Sequence, residues 1–306
     1  MKRRSFLITT GIAAAYGILG GAEWGSFFSK PDLTQLTLLH TNDLHSRIHP
    51  FSEDAGERAG LGGITRLSAV VKNIRSSVDH SLLLDCGDVL QGTPYFNLFD
   101  GKLEFQLMSK MGYDAGTIGN HEFDAGIEML AKNFDYLNFP IISSNYDFSD
   151  TPLKGKVLPY QIQNKGGIKV GIFGLGIELF GLVPEQLFGN TVYKDPILVS
   201  QEVSTFLKNE ANCDLVICLS HLGYEYESSK VSDRVIAAES ENIDVILGGH
   251  THTFLEGAVT IANKKGEAVL INQAGRSGKM LGRIDLLFEK NKKGKCVSCI
   301  NIPIGS

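Results

Sequence analysis

The feature that most constrains the fold is a short strand-like run followed within three residues by Asp, Asn or His. It recurs five times along the 306-residue chain. The runs are short, rich in apolar residues and bounded by turn-forming or polar residues, which favours β-strands over helices. They cover residues 35–41, 81–86, 113–118, 213–220 and 243–247. The alternation of such strands with helical segments predicts an α/β fold.

Segments with helical spacing separate these strands. They cover residues 64–74, 96–111 with a break at Gly101, 126–131, 197–209 and 231–238. A strand ends near residues 140–145, and a β-hairpin is predicted for residues 158–164 and 169–174, because Lys165-Gly166-Gly167 is a turn signal. Residues 177–196 are predicted to be a loop. Further short strands are predicted at residues 257–262, 268–272 and 281–288.

The polar side chains after the five main strands have one property in common, which is that each can bind a metal ion. They are Asp43 and His45, Asp88, Asn120 and His121, His221, and His250 and His252. In α/β proteins, sites form at the carboxyl ends of strands, and a set of carboxylate, amide and imidazole groups suits a divalent transition metal. Any one of them could be a solvated loop residue or part of an Asx turn. Their repetition at strand ends favours a shared site.

Charge and composition exclude some functions. The net charge of −5 argues against a nucleic-acid-binding protein, which would usually present a basic face. With 43% hydrophobic residues, the chain can bury a substantial core and is expected to be a soluble globular protein.

The first thirty residues differ from the rest. Lys2-Arg3-Arg4-Ser5-Phe6-Leu7 precedes an apolar run over residues 8–22, and this order resembles a bacterial twin-arginine export signal. The expected location is therefore the periplasm. A helix near the initiator is an alternative, and so is a retained membrane anchor, because there is no Ala-x-Ala cleavage site. The run is short for a span of ~20 apolar residues.

Together the motifs resemble the calcineurin-like metallophosphoesterases, and within them the bacterial 5'-nucleotidase and UDP-sugar hydrolase branch. The segments that carry the resemblance are Thr41-Asn42-Asp43-Leu44-His45, Gly87-Asp88-x-x-Gln91-Gly92-Thr93-Pro94, Gly119-Asn120-His121-Glu122-Phe123-Asp124, His221 and Gly248-Gly249-His250-Thr251-His252. The resemblance covers about residues 34–290. It implies an α/β fold of four layers, the αββα metallophosphoesterase sandwich, with residues 1–30 as signal or anchor and residues 31–306 as the metallophosphoesterase domain.

The resemblance also implies two divalent metal ions as cofactors. Asp43, His45, Asp88 and His252 would hold the first ion, and Asp88, Asn120, His221 and His250 the second. Asp88 would therefore bridge the two ions, since each carboxylate oxygen can serve one cation. Mn, Zn, Fe, Co and Ni all suit such mixed nitrogen and oxygen ligands.

The implied reaction is hydrolysis of a phosphate ester by a metal-bridging hydroxide. Asn120 and His121 would contact the substrate, and His121 would also protonate or stabilise the leaving oxygen. Asp124 would orient the His121 ring and raise its basicity. The alternatives are a structural role for His121 and a helix N-cap role for Asp124.

Two-domain enzymes of this branch carry a C-terminal domain that binds the nucleotide, and the sequence shows no counterpart to it. The expected substrates are phosphate esters, in particular nucleotides. The alternative is a non-autonomous metal-binding subunit that needs a separately encoded nucleotide-recognition partner. Neither nucleic-acid binding nor membrane contact beyond the leader is expected.

The five cysteines fall into two sets. Cys86, Cys213 and Cys218 lie in apolar strands and are expected to pack as small hydrophobic residues. Cys296 and Cys299 have redox or metal spacing, and in an exported protein they could form a disulfide. The sequence leaves that pairing open. His40, His49 and His80 belong to no motif and are expected to be structural or exposed.

Overall fold

The computed structural model of the chain describes residues 7–8, 33–289 and 294–305. Sixteen strands lie in these residues: β1 Leu7–Ile8, β2 Leu33–Thr41, β3 Ser81–Asp85, β4 Ala115–Gly116, β5 Ile141–Ile142, β6 Tyr146–Asp147, β7 Val157–Leu158, β8 Tyr160–Lys165, β9 Ile168–Leu175, β10 Val192–Tyr193, β11 Leu215–Ser220, β12 Val245–Leu247, β13 Val259–Ala262, β14 Ala268–Asn272, β15 Met280–Glu289 and β16 Lys295–Pro303.

The described residues form seven α-helices: α1 Ile64–Ser77, α2 Pro94–Phe99, α3 Lys102–Met111, α4 Ile127–Asn133, α5 Glu185–Phe188, α6 Pro196–Thr205 and α7 Asp233–Glu239. Short 3-10 turns cover Gly56–Arg58, His121–Phe123 and Phe134–Tyr136, and a π-helical turn, Phe206–Glu210, follows α6. No helix within these ranges is both long and apolar enough to span a membrane.

Two large sheets position the strand ends. The first has the order β1-β16-β15-β2-β3-β4-β5-β7, and the second has the order β13-β14-β12-β11-β9-β8. Strands β2, β3, β4, β5 and β7 run parallel to one another, as do β9, β11, β12 and β14. Because parallel strands end at the same edge, each sheet presents its strand exits together.

Alternation of side chains along the strands builds the layers. Leu38 of β2 and Ile217 of β11 face each other's sheet in one apolar cluster between the sheets. Leu39 points the other way, into a cluster that it shares with residues of α1, α3 and α4 such as Leu67. Cys218 packs with α7 on the outer face of the second sheet. The order helices, sheet, sheet, helices confirms the predicted four-layer α/β fold.

The main strands and helices lie where the sequence predicts them, and the differences concern short elements. Residues 177–196, predicted to be a loop, contain the helix α5 and the strand β10. The predicted strand at residues 113–118 shrinks to Ala115–Gly116. The predicted hairpin is confirmed, since β8 and β9 pair antiparallel across Gly166 and Gly167.

The C-terminal strand contains a Cys296–Cys299 disulfide. Residues three apart on a regular strand point to opposite faces. The pairing of β15 with β16 shifts here, because Asp285 lies opposite Ser298 while Leu286 lies opposite Cys296. This β-bulge brings both cysteines toward the apolar layer between the sheets. Cys86, Cys213 and Cys218 are free and buried, as predicted.

Most of the predicted leader, residues 1–6 and 9–30, lies outside the described residues. The backbone of Leu7–Ile8 pairs parallel with β16. The boundary at residue 30 stays a prediction.

Candidate metal centre

The predicted ligand residues converge on one place. They lie in the loops after β2, β3 and β4 of the first sheet and after β11 and β12 of the second. Two sets of side chains could each hold a metal ion, because within each set the ligand atoms lie within 4.8 Å of one another. Asp43, His45 and His252 are here called the outer group, and Asp88, His221 and His250 the inner group. Each group takes residues from both sheets.

In the outer group, three ligand atoms face a common point. His45 Nε2 lies 3.0 Å from His252 Nε2, and Asp43 Oδ1 lies 3.1 Å from His252 Nε2. Asp43 and His45 are buried, whereas 29% of the His252 side chain is exposed. The outer group is therefore open to a substrate on the His252 side.

In the inner group, His221 is fully buried and lies 3.0 Å from Asp88, measured from Nε2 to Oδ2. This contact does not have hydrogen-bond geometry, and Nε2 has no hydrogen-bond partner among the described residues. His221 Nδ1 donates to the Cys86 carbonyl at 2.6 Å. That bond commits Nδ1 to the carbonyl, so Nε2 is the nitrogen that would give up its proton and bind a metal ion.

Asn120 and Asp88 connect the inner group to the segment that contains His121, the residue predicted to contact the substrate. Asn120 Oδ1 lies 2.9 Å from His250 Nδ1. Asp88 Oδ1 accepts the His121 backbone N–H at 2.8 Å. The structure places Asp88 in the inner group, so its predicted bridging role toward the outer group stays a prediction.

The charges of the inner group depend on burial and on Asp88. Burial by itself would lower the pKa of His221, but the negative charge of Asp88, 3.0 Å away, raises it to about 10. Burial, followed by repulsion from His221, lowers the pKa of His250 to about 4. The donor set fits a divalent transition metal, since it combines carboxylate and amide oxygens with imidazole nitrogens.

The backbone at the ligand residues is unusual. Five of the seven predicted ligands have a positive φ, namely Asp43 (50°), His45 (48°), Asp88 (55°), His250 (73°) and His252 (54°). Each non-glycine residue in this region costs on the order of 1–3 kcal/mol, and such residues cluster at functional sites. Gly87 has φ 85°, and a Cβ there would lie 2.6 Å from the Gly119 nitrogen. The strained loops therefore lie close together at this centre.

Glu122 organises the inner group, although sequence reasoning gave it no role. Its buried carboxylate accepts backbone N–H groups from Gly119 at 2.6 Å, Val89 at 2.7 Å and Asp88 at 2.9 Å. Burial, with the nearby charge of Asp88, raises its pKa to about 7. The only sequence signal for this role is its place in the Asn-His-Glu motif.

Asn42 supports the outer group in a similar way. Its Nδ2 donates to Asp43 Oδ2 at 2.7 Å and to the Gly275 carbonyl at 2.6 Å. Its Oδ1 accepts the Ala274 N–H at 2.9 Å. Because Asn42 ties the loop after β2 to the loop after β14, sequence spacing could not have revealed this contact.

His121 lies beside the ligand residues with its ring near that of His45, 5.3 Å between centroids. Its Nδ1 lies 2.8 Å from Asp124 Oδ2. This hydrogen bond outweighs burial and raises the pKa of His121. The alternative role of Asp124 as a helix N-cap is wrong, because α4 begins after Gly126 and has no side-chain cap.

The remaining histidines are outside the centre. His40 is fully buried and hydrogen-bonds Asn272 at 2.9 Å. The His49 ring lies 5.7 Å from that of Tyr95. These positions agree with the structural or exposed roles expected for them.

Comparison with known proteins gives a consistent result. The family model described as calcineurin-like phosphoesterase matches residues 36–254. The 5'-nucleotidase of Bos taurus is 34% identical over 292 residues, which is 88% of this chain and 49% of that protein. The snake venom 5'-nucleotidase of Crotalus adamanteus is 33% identical over 296 residues, covering 88% of this chain and 48% of that protein.

Among solved structures, the 5'-nucleotidase precursor of Thermus thermophilus matches with a TM-score of 0.79 and 31% identity. The match covers 89% of this chain and 55% of that one. The chain thus spans about half the length of the curated relatives it matches. The predicted resemblance is confirmed.

Proposed function

The chain belongs to the calcineurin-like phosphoesterase family, and we propose that it is a metal-dependent phosphoester hydrolase that acts on nucleotides. The observation that carries this proposal is the convergence of the two ligand groups next to the His121–Asp124 pair. Relatives named 5'-nucleotidase support nucleotides as the substrate class.

We assign the ligands as the sequence suggests. Asp43, His45, Asp88 and His252 would hold one divalent ion, and Asp88, Asn120, His221 and His250 the other. When bound, two such ions supply an activated water and positive charge for the phosphate oxygens. The buried Nε2 of His221, which has no hydrogen-bond partner among the described residues, supports this assignment.

The chain's own residues would orient the phosphate and supply a proton. Asp124 accepts from His121 Nδ1, which leaves His121 Nε2 free to donate a hydrogen bond to the phosphoryl group. A raised pKa keeps His121 protonated nearer neutral pH, so it can deliver a proton to the leaving oxygen. With its Oδ1 turned to the metal side, Asn120 can offer its amide N–H to the same phosphate.

The leader resembles an export signal, so we also propose that the protein acts in the periplasm. N-terminal sequencing and metal analysis of protein recovered from that compartment would test this. Relatives named 5'-nucleotidase favour an enzyme over the alternative function, a metal-binding subunit that depends on a separate partner.

The direct test is an assay of the lone chain with added divalent metals. Its substrates are p-nitrophenyl phosphate, bis-p-nitrophenyl phosphate and AMP. We expect turnover of AMP, and a fall in kcat of about 10²–10⁴-fold for His121→Asn with unchanged metal content. Absence of turnover on all three substrates by a metal-loaded chain would contradict the proposal. Unchanged kcat in the variant would remove the acid role of His121.

A further inference from the structure

Four cationic side chains lie near one another, and one of them touches the outer group, although the chain carries a net charge of −5. They are Arg47, Arg58, Arg276 and Lys279, here called the cationic cluster. Arg276 Nη1 lies 3.3 Å from His252 Nδ1, and Arg47 is two residues beyond His45. Besides partial burial, the charges of Arg58 and Arg276 lower the pKa of both Arg47 and Lys279. The four charges are therefore close enough to repel one another.

Within residues 33–289 and 294–305, no carboxylate forms an ion pair with any member of this cluster. Aromatic rings hold three of its members instead. The guanidinium groups of Arg47 and Arg58 lie 4.0 and 5.1 Å from the centre of the Phe51 ring, and the Lys279 ammonium lies 4.4 Å from that of Phe254. A ring fixes the position of a cation without cancelling its charge. The fold thus keeps the cluster positively charged.

When His252 binds a metal ion, neither Arg276 nor the facing nitrogen of His252 can accept a hydrogen bond from the other. Its Nε2 faces Asp43 and His45, so the ring proton is then on Nδ1. A guanidinium has only donors. Two donors 3.3 Å apart therefore face each other at an exposed position. An anionic oxygen that lies to one side, within hydrogen-bond distance of both nitrogens, would accept from both.

We propose that the cationic cluster binds a second phosphate group of the substrate, so that the centre prefers phosphate esters with two phosphates over those with one. This inference rests on the proposed function and specifies its substrate class. The phosphate to be cleaved would lie at the two ligand groups, and the second one imidazole ring away, beyond His252. A monophosphate would leave the cluster without a partner.

The test measures binding with probes that cannot be hydrolysed. Methylenediphosphonate has two phosphorus groups joined through carbon, and methylphosphonate has one. Calorimetry on the metal-loaded full chain compares the wild type with Arg276→Gln and Arg58→Gln, both at exposed positions. We expect each variant to weaken binding of methylenediphosphonate by about tenfold. Binding of methylphosphonate should stay within about twofold.

Lys264→Gln is the matched control, because it also removes one positive charge. Lys264 pairs with Glu239 at 2.6 Å, away from the ligand loops, and its loss should change neither affinity. Equal weakening of both probes by Arg276→Gln and Arg58→Gln would overturn the proposal, since the cluster would then act on any anion. Unchanged affinities in both variants would overturn it as well.

A second arm separates this inference from the proposed function. It compares KM for ADP with KM for AMP, and we expect both arginine variants to raise KM for ADP alone. A wild-type chain that binds methylenediphosphonate through the cluster yet hydrolyses neither nucleotide would contradict the proposed function and keep the anion site. If the chain hydrolyses both nucleotides and neither variant changes KM, the proposed function is supported and the second phosphate site is contradicted.

Discussion

The inner and outer groups of the candidate centre are built from similar residues and held in different ways. In the inner group, the second ring nitrogen of His221 donates to a buried carbonyl, that of Cys86. In the outer group, His45 Nδ1 is buried and has no hydrogen-bond partner among the described residues. His252 Nδ1 faces a guanidinium, which cannot accept. A histidine oriented by an acceptor binds metal more tightly, so the inner group should be the stronger site.

The difference separates two tasks. The inner group is fixed by hydrogen bonds to backbone and would hold its cation permanently. The outer group has an exposed edge at His252 and lies next to the cationic cluster, which suits contact with a substrate. Four experiments, on five substitutions, would break or sharpen this comparison.

The largest expected effect comes from Asp88→Asn, because Asp88 is the residue assigned to both ions. An amide cannot supply the charge that both ions require, so both should be lost. Activity should then fall by at least about 10³-fold, since the ions supply several kcal/mol of transition-state stabilisation. Metal analysis after gel filtration measures the occupancy. Two full equivalents of metal in the variant would refute the bridging assignment.

His221→Asn and His252→Asn test the asymmetry directly. Removing His221 leaves the buried Cys86 carbonyl without its donor and the buried Asp88 carboxylate without its nearest positive charge, so the metal-free protein should lose about 2–4 kcal/mol of unfolding free energy. Removing the partly exposed His252 should cost no more than about 0.5 kcal/mol. Denaturant unfolding in chelator measures both. The comparison fails if the two variants lose similar stability. Metal analysis should show the inner ion retained in His252→Asn.

Glu122→Gln would weaken the inner group without touching a ligand. The amide must turn an N–H₂ group toward backbone N–H donors that the carboxylate now accepts. Because supporting residues of this kind are worth about 10–100-fold in metal affinity, we expect a loss in that range for the tighter ion. Glu128→Gln, at an exposed position of α4, is the control. If the weaker ion alone is affected, Glu122 does not act on the inner group.

His40, a buried histidine outside both groups, should have no effect at neutral pH and should act only in acid. Burial lowers its pKa from 6.5 to about 3 in the folded protein. Above pH 6.5 the ring is neutral in both states and pH has no effect through it. Between pH 6.5 and about 3 only the unfolded chain takes up the proton, so this residue removes ~1.4 kcal/mol of stability per pH unit as pH falls.

The His40→Gln variant should therefore show a shallower loss of unfolding free energy below pH 6.5 than the wild type. Denaturant titrations of both proteins at several pH values in chelator measure the two free energies of unfolding. Subtracting one curve from the other removes the contribution of the other titratable groups. Parallel curves would mean that His40 does not titrate as its burial requires.

The sequence predicted the parts of the fold that depend on local pattern. Strand β11 and the buried strand β2 are continuous apolar runs, and their bounds differ from the predicted ones by about two residues, a usual margin. Strands such as β4 and β10 contain two residues each. Such short segments are strands only because they pair with a neighbouring strand. The local sequence pattern therefore does not predict them.

The site divides in the same way. The convergence of ligand residues follows from parallel strands that end at one edge, and the sequence could predict it. The contacts that hold those ligands join distant loops: Cys86 with His221, Glu122 with Val89, and Asn42 with Gly275. No periodicity or spacing encodes them. The bulge that allows Cys296 and Cys299 to pair likewise depends on the register with β15.

Each ligand group takes members from both sheets, and this has a consequence for assembly. Asp43 and His45 follow β2, whereas His252 follows β12; Asp88 follows β3, whereas His221 follows β11. Neither sheet alone carries all the ligands of either group. A cation is therefore bound by its full set of ligands only after the two sheets have docked. Metal binding would then stabilise only molecules in which the two sheets have docked correctly. Molecules in which one sheet is misplaced would bind the ion weakly and would gain no such stability.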